Sequence, residues 1–285
     1  MLTPAGDAAM RCAVLGDPVE HSLSPVLHRA GYAALGLTGW EYDAVRVPAG
    51  GLSDFLAGLD GTWRGLSLTM PLKREAMAVV DRVSPRAEQA GAANTLLFER
   101  SAGTGPDGLL VRGDNTDIPG AVAAIRERFA GSLGRVVIWG GGATAGSALL
   151  AVAELGCRSV ELLVRDPARA ADTVAAAGRF PEALDVRVGR LGDAVRADLL
   201  VSTIPALAQR PLLSSVDRPG AVFEVLYDPW PTALAEWASA AGLPLVSGLD
   251  LLVHQAAVQF ELFTGSAAPL AAMRDAGEAA LRARG

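Results

Sequence analysis

Three consecutive glycines begin at Gly140, between an apolar segment and an alanine-rich one. Residues 135–139 predict a buried strand and 143–156 a helix, so the glycines join a strand to a helix. Gly140, Gly142 and Ala145 fit the pattern G-x-G-x-x-A. In that pattern the first glycine permits a tight turn, the second lets the backbone approach a pyrophosphate, and the small third residue lets the helix pack on the strand. The segment therefore predicts a dinucleotide-binding unit, with an ordinary strand-to-helix turn as the alternative.

Composition bounds the class of protein. The 285 residues are 51% hydrophobic, which is enough apolar material for two domains that each have a core. The formal net charge of −6 argues against nucleic acid as a partner, because phosphate binding requires a basic surface. No apolar run reaches ~18 residues without a charge or a glycine, and a secretory signal pattern is not evident at the N-terminus. We expect a soluble, cytoplasmic protein that binds small molecules rather than a membrane, as a monomer or a homodimer.

The cysteines and histidines indicate neither a disulfide nor a metal site. Cys12 and Cys157 lie in apolar segments without CxxC spacing, so buried free thiols are expected. The three histidines, His21, His28 and His254, have no metal-ligand spacing to one another or to a cysteine. We therefore expect no metal.

Strand-like and helix-like segments alternate along the first half of the chain. Strands are predicted at 11–15, 40–47 and 65–69, and helices at 25–36, 51–59 and 72–83. Pro25 and Gly36 are typical boundaries of the first helix. Two further strand-like segments, 93–98 and 109–112, flank the Gly-, Ser- and Pro-rich residues 101–108 and predict a hairpin with a solvent-exposed loop. This alternation indicates an α/β domain with a mostly parallel sheet.

The second half of the chain continues the alternation. A helix at 118–129 precedes the strand before the glycines. Beyond the glycines the predicted elements are the helix 143–156, the strand 160–164, the helix 167–177, the strands 184–188, 198–201 and 221–225, and the helix 231–241. This series predicts a doubly wound sheet. Two amphipathic helices, 249–265 and 267–283, complete the chain.

The residues after the second strand of this unit bear on which dinucleotide is bound. An NAD site places an acidic residue there, which accepts a hydrogen bond from the ribose 2′-hydroxyl. Here Arg165 and Arg169 offer two guanidinium groups, which suit a 2′-phosphate. Asp166 is the competing signal, but it precedes Pro167 and is interpreted as a helix N-cap. The pattern favours NADP over NAD.

Four polar clusters precede the glycines: HSLSP at 21–25, LTMPLK at 68–73, AGAANT at 90–95 and GDNTD at 113–117. In the first cluster, Ser22 and Ser24 lie two residues apart, so in an extended segment both hydroxyls would face the same side. That arrangement suits a carboxylate held by two donors. The alternative is an ST-turn, or an N-cap by Ser24 before Pro25.

The other clusters contain candidate proton-transfer and hydroxyl-binding groups. Lys73 lies at a predicted helix start, close to the strand-end Thr69. Positive charge is disfavoured at a helix N-terminus, so a lysine there is more notable than one on open surface. Asn94 can donate and accept at once, which suits a substrate hydroxyl. Asp114 and Asn115 are equally compatible with turn residues.

In their succession, the four clusters and the glycine loop resemble the shikimate dehydrogenase family, from about Arg11 to about Phe263. The resemblance implies an N-terminal α/β substrate domain, residues 1–117 with 249–285, and a Rossmann-type NADP-binding domain, residues 118–248. It also implies that the C-terminal helices return to the first domain. The implied activity is the reversible NADPH-dependent reduction of 3-dehydroshikimate to shikimate, in chorismate and aromatic amino acid biosynthesis.

The resemblance also implies a role for each matching residue. Lys73 is the catalytic lysine, paired with the catalytic Asp117. The implied substrate-binding residues are Ser22, Ser24, Thr69, Asn94, Tyr227 and Gln255, of which the two serines hold the carboxylate. The implied cofactor-binding residues are Gly140, Gly141, Gly142, Ala143, Thr144, Ala145, Arg165, Arg169, Ser202, Thr203, Val225 and Gly248. For Val225 the alternative is an ordinary core strand residue.

The chain also departs from the family pattern. NADP enzymes of the family commonly read Asn-Arg-Thr where this chain has Val164, Arg165 and Asp166. One alternative is therefore a relative that acts on quinate or aminoshikimate with NAD. Arg165 argues against it, and so does Ser24, because relatives that use quinate are associated with a threonine there. A catalytically silent nucleotide-binding paralogue is the other alternative, and the intact Lys73 argues against that.

Overall fold

The computed structural model describes residues 9–100 and 109–284, which divide into two compact units. The first unit draws on three separate stretches of the chain, Met1–Glu88, Ala92–Thr116 and Ala256–Gly285. The second unit comprises Gln89–Gly91 and Asp117–Gln255.

The first unit is built on a mixed six-stranded sheet. Its strands are β1 (Met10–Gly16), β2 (Trp40–Arg46), β3 (Trp63–Leu68), β4 (Arg82–Val83), β5 (Thr95–Arg100) and β6 (Leu109–Asp114). Their order is β2-β1-β3-β5-β6-β4, and β5 runs antiparallel to both of its neighbours while the other pairs are parallel. The carboxyl ends of the other strands therefore share one edge of the sheet with the start of β5. The predicted hairpin of β5 and β6 is confirmed, and its loop, 101–108, lies outside the described residues.

The helices in this part of the chain are α1 (Ser24–Ala34), α2 (Leu52–Ala57), α3 (Leu72–Glu75) and α4 (Pro85–Ala90). The last three pack on one mainly aliphatic core. The core includes Leu15, Leu66 and Leu96, none of which is exposed to solvent. Burying one such side chain stabilises the folded state by about 1.5–3 kcal/mol.

The helix predicted over 72–83 is wrong beyond its first turn. α3 ends at Glu75, a 3₁₀ turn covers Ala76–Ala78, and the chain then enters β4. At this point the Asp81 N–H donates to the Val111 carbonyl at 2.8 Å, and the Asp81 carboxylate accepts from the Val111 N–H at 2.8 Å. Pairing with β6 therefore outweighs the helical propensity of the segment, which is a weak preference by comparison.

The second unit contains a six-stranded sheet in which every neighbouring pair is parallel. Its strands are β7 (Arg135–Trp139), β8 (Ser159–Val164), β9 (Asp185–Arg190), β10 (Leu199–Ser202), β11 (Ala221–Glu224) and β12 (Leu245–Val246). Their order, β12-β11-β10-β7-β8-β9, confirms the predicted doubly wound sheet. The winding reverses between β7 and β10, and sheets of this kind bind ligands at the carboxyl ends of the strands beside such a reversal.

The second unit also supplies most of the remaining helices. They are α5 (Asp117–Arg128), α6 (Ala143–Glu154), α7 (Ala171–Gly178), α8 (Ala233–Ala240) and α9 (Gly248–Thr264). The unit has its own core, in which Val137, Trp139 and Leu200 are fully buried. The helix predicted over 167–177 is instead a 3₁₀ turn, Pro167–Ala170, that leads into α7.

Helix α9 contributes to both units, because the limit between them falls after Gln255. Its second half and α10 (Leu270–Arg282) belong to the first unit, as the predicted return of the C-terminal helices requires. There the Phe260 ring lies 5.4 Å from the Tyr32 ring of α1. A Cβ on Gly31 would lie only 2.7 Å from the Phe260 ring, so a glycine in α1 lets the two helices approach closely.

Several short elements have no counterpart in the sequence analysis: α4, β12 and the 3₁₀ turns Ala206–Ala208 and Arg210–Ser215. α4 does have a local signal, because the Ser84 hydroxyl before Pro85 accepts from the Ala87 N–H at 3.2 Å. Cys12 and Cys157 are buried and free, as predicted. No helix within residues 9–100 and 109–284 has the length and hydropathy needed to span a bilayer.

Candidate active site

Backbone hydrogen bonds hold three predicted site residues at the shared edge of the first sheet. The Thr69 N–H donates to the backbone of β1 at 2.9 Å. The Lys73 carbonyl accepts from the Ala93 N–H at 2.8 Å, and the Asn94 carbonyl accepts from the last residue of β3 at 2.7 Å. These bonds extend the strand pairing past the strand ends. Thr69, Lys73 and Asn94 therefore lie at one edge.

The serine pair is not in an extended segment, so that prediction is wrong. Leu23, between the two serines, has φ −88° and ψ −4°, and Ser24 is the first residue of α1. The Ser22 hydroxyl accepts from the Ser24 N–H at 3.3 Å, which is a local turn of the kind held open as the alternative. The N-cap position belongs to Leu23 rather than to Ser24. Ser24 therefore belongs to the helix and Ser22 to the turn before it, and strand alternation applies to neither.

Lys73 is the second residue of α3 and is partly buried. Because α3 has 4 residues, the dipole that made a lysine notable at a helix start is weak here. Glu75, in the same helix, is occupied elsewhere: its carboxylate accepts from the Gly50 and Leu52 N–H groups at 2.8 and 3.0 Å. The support for Lys73 as a site residue therefore comes from its position at the sheet edge and not from the helix dipole.

The amide of Asn94 has a fixed orientation. This side chain is 2% exposed, and its Oδ1 accepts from the Thr116 N–H at 2.7 Å and from the Thr95 hydroxyl at 2.8 Å. Its Nδ2 donates to the Thr116 hydroxyl at 3.0 Å. Because a backbone N–H can only donate, the oxygen end must face Thr116. Neighbouring residues of the fold therefore set the orientation of this amide. Sequence reasoning missed both threonines, although each follows an asparagine in the chain.

The fourth cluster separates into structural residues and one catalytic candidate. Asp114 Oδ1 accepts from the Ser84 hydroxyl and from the Asn115 N–H, both at 2.7 Å. The Asn115 amide donates to the Ala92 carbonyl at 2.9 Å. These bonds fit the turn alternative for Asp114 and Asn115. Asp117, the first residue of α5, is 6% exposed and is the carboxylate of this cluster best suited to catalysis.

A small, mainly apolar pocket in the second unit brings together Asp117, Thr144 and Val225. The other residues that line it are Ala121, Ser147, Ala148, Phe223 and Leu251. Val225 follows the end of β11 and is only partly buried, which argues against the alternative of a core strand residue. Gly248 packs on the same segment, since an added Cβ would lie 2.5 Å from the Val225 carbonyl oxygen.

The last two predicted substrate residues also belong to the second unit. Tyr227 follows β11 and is partly buried. Gln255 is 7% exposed, and its amide donates to the Leu252 carbonyl of its own helix at 3.0 Å. It packs closely on α5, because a Cβ on Gly120 would lie 2.7 Å from the Gln255 Cβ. Among the described residues, no group of three His, Cys, Asp or Glu side chains is placed to hold a metal ion.

The glycine loop has the geometry that its pattern requires. Gly140 has φ +113°, and an added Cβ would collide with the Thr203 hydroxyl. Thr203 in turn donates to the Trp139 carbonyl through its N–H at 2.9 Å and its hydroxyl at 2.8 Å. Gly142 is exposed, and nothing lies within 4 Å of an added Cβ. Ala145 is fully buried. The loop thus has a tight turn at Gly140, open space for a pyrophosphate at Gly142 and close helix packing at Ala145.

The two arginines expected to bind a 2′-phosphate are both exposed: Arg165 directly follows β8, and Arg169 lies in the 3₁₀ turn after it. Asp166 is the predicted N-cap, because its Oδ1 accepts from the N–H two residues on at 3.0 Å. That carboxylate is therefore engaged in the turn between Arg165 and Arg169. Arg190, at the end of β9, pairs with Val164 in the sheet and brings a third guanidinium to the same edge. Sequence reasoning missed Arg190, because the pairing of β8 with β9 has no local signal.

Two other predicted cofactor residues, Gly141 and Ser202, are buried. The Gly141 carbonyl accepts from the Thr173 hydroxyl at 3.0 Å, which connects the loop to α7. Ser202 is not exposed, and its hydroxyl accepts from the Gln209 amide at 3.2 Å. Gln209 also donates to Glu224 at 2.6 Å, and burial raises the pKa of that carboxyl. Only the backbone of Ser202 is therefore suited to line a cofactor groove.

Comparison with known proteins identifies the family. The model of the shikimate dehydrogenase substrate binding domain matches residues 14–96, and that of the shikimate 5′-dehydrogenase C-terminal domain matches residues 248–276. The NADP(+) shikimate dehydrogenase of Moorella thermoacetica is 36% identical over 275 residues, which cover 92% of this chain and 90% of that protein. The chain belongs to the shikimate dehydrogenase family. Within this family member, the first matched domain contains Lys73 and Asn94, and the second contains Gln255.

Solved structures of the family share the fold. Shikimate dehydrogenase from Mycobacterium tuberculosis has a TM-score of 0.83 and 38% identity, covering 95% of this chain and 99% of that one. Shikimate 5-dehydrogenase from Thermus thermophilus, in complex with NADP(H) and shikimate, has a TM-score of 0.79 and 32% identity, with coverage of 95% and 99%. Quinate dehydrogenase from Corynebacterium glutamicum, in complex with NAD, has a TM-score of 0.79 at 23% identity and shows a common fold alone.

Proposed function

We propose that this family member catalyses the reversible NADPH-dependent reduction of 3-dehydroshikimate to shikimate, a step of chorismate and aromatic amino acid biosynthesis. The observation that carries the proposal is the similarity, over 95% of the chain, to the T. thermophilus enzyme that binds NADP(H) and shikimate. In this proposal the first unit is the substrate domain and the second is the NADP domain.

The residues of the second unit fit an NADP cofactor. Gly142 leaves the backbone open to a pyrophosphate. It is also the N-cap of α6, so the first N–H groups of that helix, at the positive end of its dipole, are next to the pyrophosphate. Arg165 and Arg169 supply the charge for a 2′-phosphate, and Asp166 does not compete because it caps a turn. When bound, the cofactor supplies the hydride. The protein then has to orient the substrate and manage one proton.

The residues of the first unit suit a polyhydroxylated carboxylate. We assign the carboxylate to Ser22 and Ser24, and a ring hydroxyl to the donor group of Asn94, with Thr69 beside it. Addition of hydride to the carbonyl carbon leaves a negative charge on its oxygen, and Lys73 donates the proton that neutralises it. Our remaining assignments are Asp117 to proton handling, and Tyr227 and Gln255 to the substrate hydroxyls.

A panel of shikimate and quinate against NADP and NAD, followed at the absorbance band of the reduced cofactor, tests the proposal. We expect turnover to be highest with shikimate and NADP. Higher turnover with quinate and NAD would establish the alternative family activity, and no turnover with any pair would establish a silent paralogue.

We also propose that the protein works in the cytoplasm, as a monomer or a homodimer. The two buried free thiols support this location, because they suit a reducing compartment. Light scattering on the purified protein distinguishes the two oligomeric states.

A further inference from the structure

A chain of hydrogen bonds between buried side chains crosses the first unit and ends at Asn94. The Tyr42 hydroxyl donates to Ser67 Oγ at 2.6 Å, and Ser67 Oγ donates to Gln259 Oε1 at 2.8 Å. Gln259 Nε2 donates to Thr95 Oγ1 at 2.9 Å, and Thr95 Oγ1 donates to Asn94 Oδ1 at 2.8 Å. Each of the five side chains is at most 4% exposed.

Backbone groups fix the direction of this chain at two places. Asn94 Oδ1 must be the acceptor, because the Thr116 N–H points at it. Gln259 Nε2 must be the donor, because it also bonds the Asn94 carbonyl at 3.2 Å. The Thr95 hydroxyl, between these two points, therefore donates toward Asn94, and the Ser67 hydroxyl donates toward the oxygen of Gln259. Bonds aligned in this way polarise one another. Reversing one amide would leave buried polar atoms without partners, which is costly.

Gln259, a residue of α9, is the central member of this series of hydrogen bonds. Its amide joins Ser67, at the end of β3, to the first residues of β5. Through Thr95 it supports the side chain of Asn94, and through the backbone carbonyl it holds the main chain of the same residue. One side chain of α9 therefore supports both parts of Asn94.

We propose that Gln259 is a positioning residue for Asn94. It fixes the nitrogen, and not the oxygen, as the end of the asparagine amide that a substrate hydroxyl meets, and so sets how tightly that hydroxyl is bound. This inference rests on the proposed function, and it adds to that function a residue that determines substrate affinity without touching the substrate.

The test is Gln259→Met in the full-length protein, which removes the hydrogen bonds but keeps an unbranched side chain of similar length. We expect the KM for shikimate to rise about tenfold, the equivalent of one hydrogen bond of ordinary strength, with the KM for NADP unchanged. In the double variant with Asn94→Ala, the KM should equal that of Asn94→Ala alone, because both changes remove the same contact. Additive effects in the double variant would overturn the proposal.

Phe260→Leu is the matched control for a merely structural effect. Phe260 is the next residue of α9 and is equally buried, but its contacts are with aromatic rings rather than with the hydrogen-bond chain. It should lower the melting temperature and leave the shikimate KM unchanged. A KM increase in Phe260→Leu as large as that in Gln259→Met would show that loss of stability alone explains both.

A second measurement is independent of the proposed activity. The Thr116 N–H bonds Asn94 Oδ1, so its hydrogen exchange reports the orientation of that amide. Exchange at Thr116 should be faster in Gln259→Met than in Phe260→Leu, and equal rates would refute the positioning role. If the wild type does not oxidise shikimate, the proposed function fails while this measurement still decides the role of Gln259.

Discussion

Replacing Gly140 by alanine tests whether backbone geometry fixes the cofactor loop. Gly140 has φ +113°, a conformation that costs an L residue about 1–3 kcal/mol. The new Cβ would also displace the Thr203 hydroxyl and break its 2.8 Å bond to the Trp139 carbonyl, at about 0.5–1.5 kcal/mol. Together the two effects should destabilise the second unit by about 2–4 kcal/mol.

Thermal unfolding measures this loss, and Gly142→Ala is the matched control. Since 1 kcal/mol corresponds to roughly 2–4 °C for a unit of this size, Gly140→Ala should melt on the order of 10 °C below the wild type. Gly142 has φ −84° and open space around an added Cβ, so its variant should lose less than about 1 kcal/mol. It should nevertheless raise the KM for NADP, because the methyl group lies where the pyrophosphate approaches.

Each half of this comparison can fail separately. An unchanged melting temperature for Gly140→Ala would refute the strain argument. In a Thr203→Ala background, where this hydroxyl bond is already absent, Gly140→Ala should cost only the part of the loss that comes from φ. An unchanged KM for NADP in Gly142→Ala would refute the placement of the pyrophosphate beside this glycine.

Three further predictions concern single groups. Lys73→Ala should lower turnover by about 10²–10⁴ with little change in shikimate affinity, as for a lost proton donor, and normal turnover would exclude that role. Neutral residues at both Arg165 and Arg169 should raise the KM for NADP and leave that for NAD unchanged, whereas equal losses would mean a structural role. Burial lowers the pKa of His28 from 6.5 to about 3, so the folded state keeps the imidazole neutral and loses stability as the pH falls through this range. Acid unfolding of His28→Phe should therefore depend less steeply on pH, and an unchanged profile would contradict the burial effect.

The features that the sequence predicts well depend on neighbouring residues. The loop at Gly140 follows from a strand, three glycines and a helix that are contiguous in the chain, and the N-cap role of Asp166 follows from the proline after it. The position of Lys73 at the sheet edge can also be predicted from the sequence, because the residues that follow a strand ending at Leu68 must lie at that edge. In each case the covalent geometry of a short segment determines the outcome.

The features that the sequence does not predict depend on distant residues. The helix expected over 72–83 gives way to β4 because Val111 lies opposite Asp81 in the folded chain. The support of Asn94 is similar, since the bond between Ser67 and Gln259 joins residues 192 positions apart. Local preferences carry no information about such partners, so the sequence alone does not predict the polar framework around the candidate site.

The division of helix α9 between the two units has a consequence for synthesis on the ribosome. The second unit is almost wholly one continuous stretch, Asp117–Gln255, which has been translated before the last segment of the first unit exists. Domains generally fold as units while the chain grows. The nucleotide-binding half is therefore free to fold first, whereas the half that contains Asn94 waits for Ala256–Gly285. A nascent chain released before that segment is translated would carry a folded cofactor half beside an unfinished sheet, with the apolar face of α1 still exposed to chaperones and proteases.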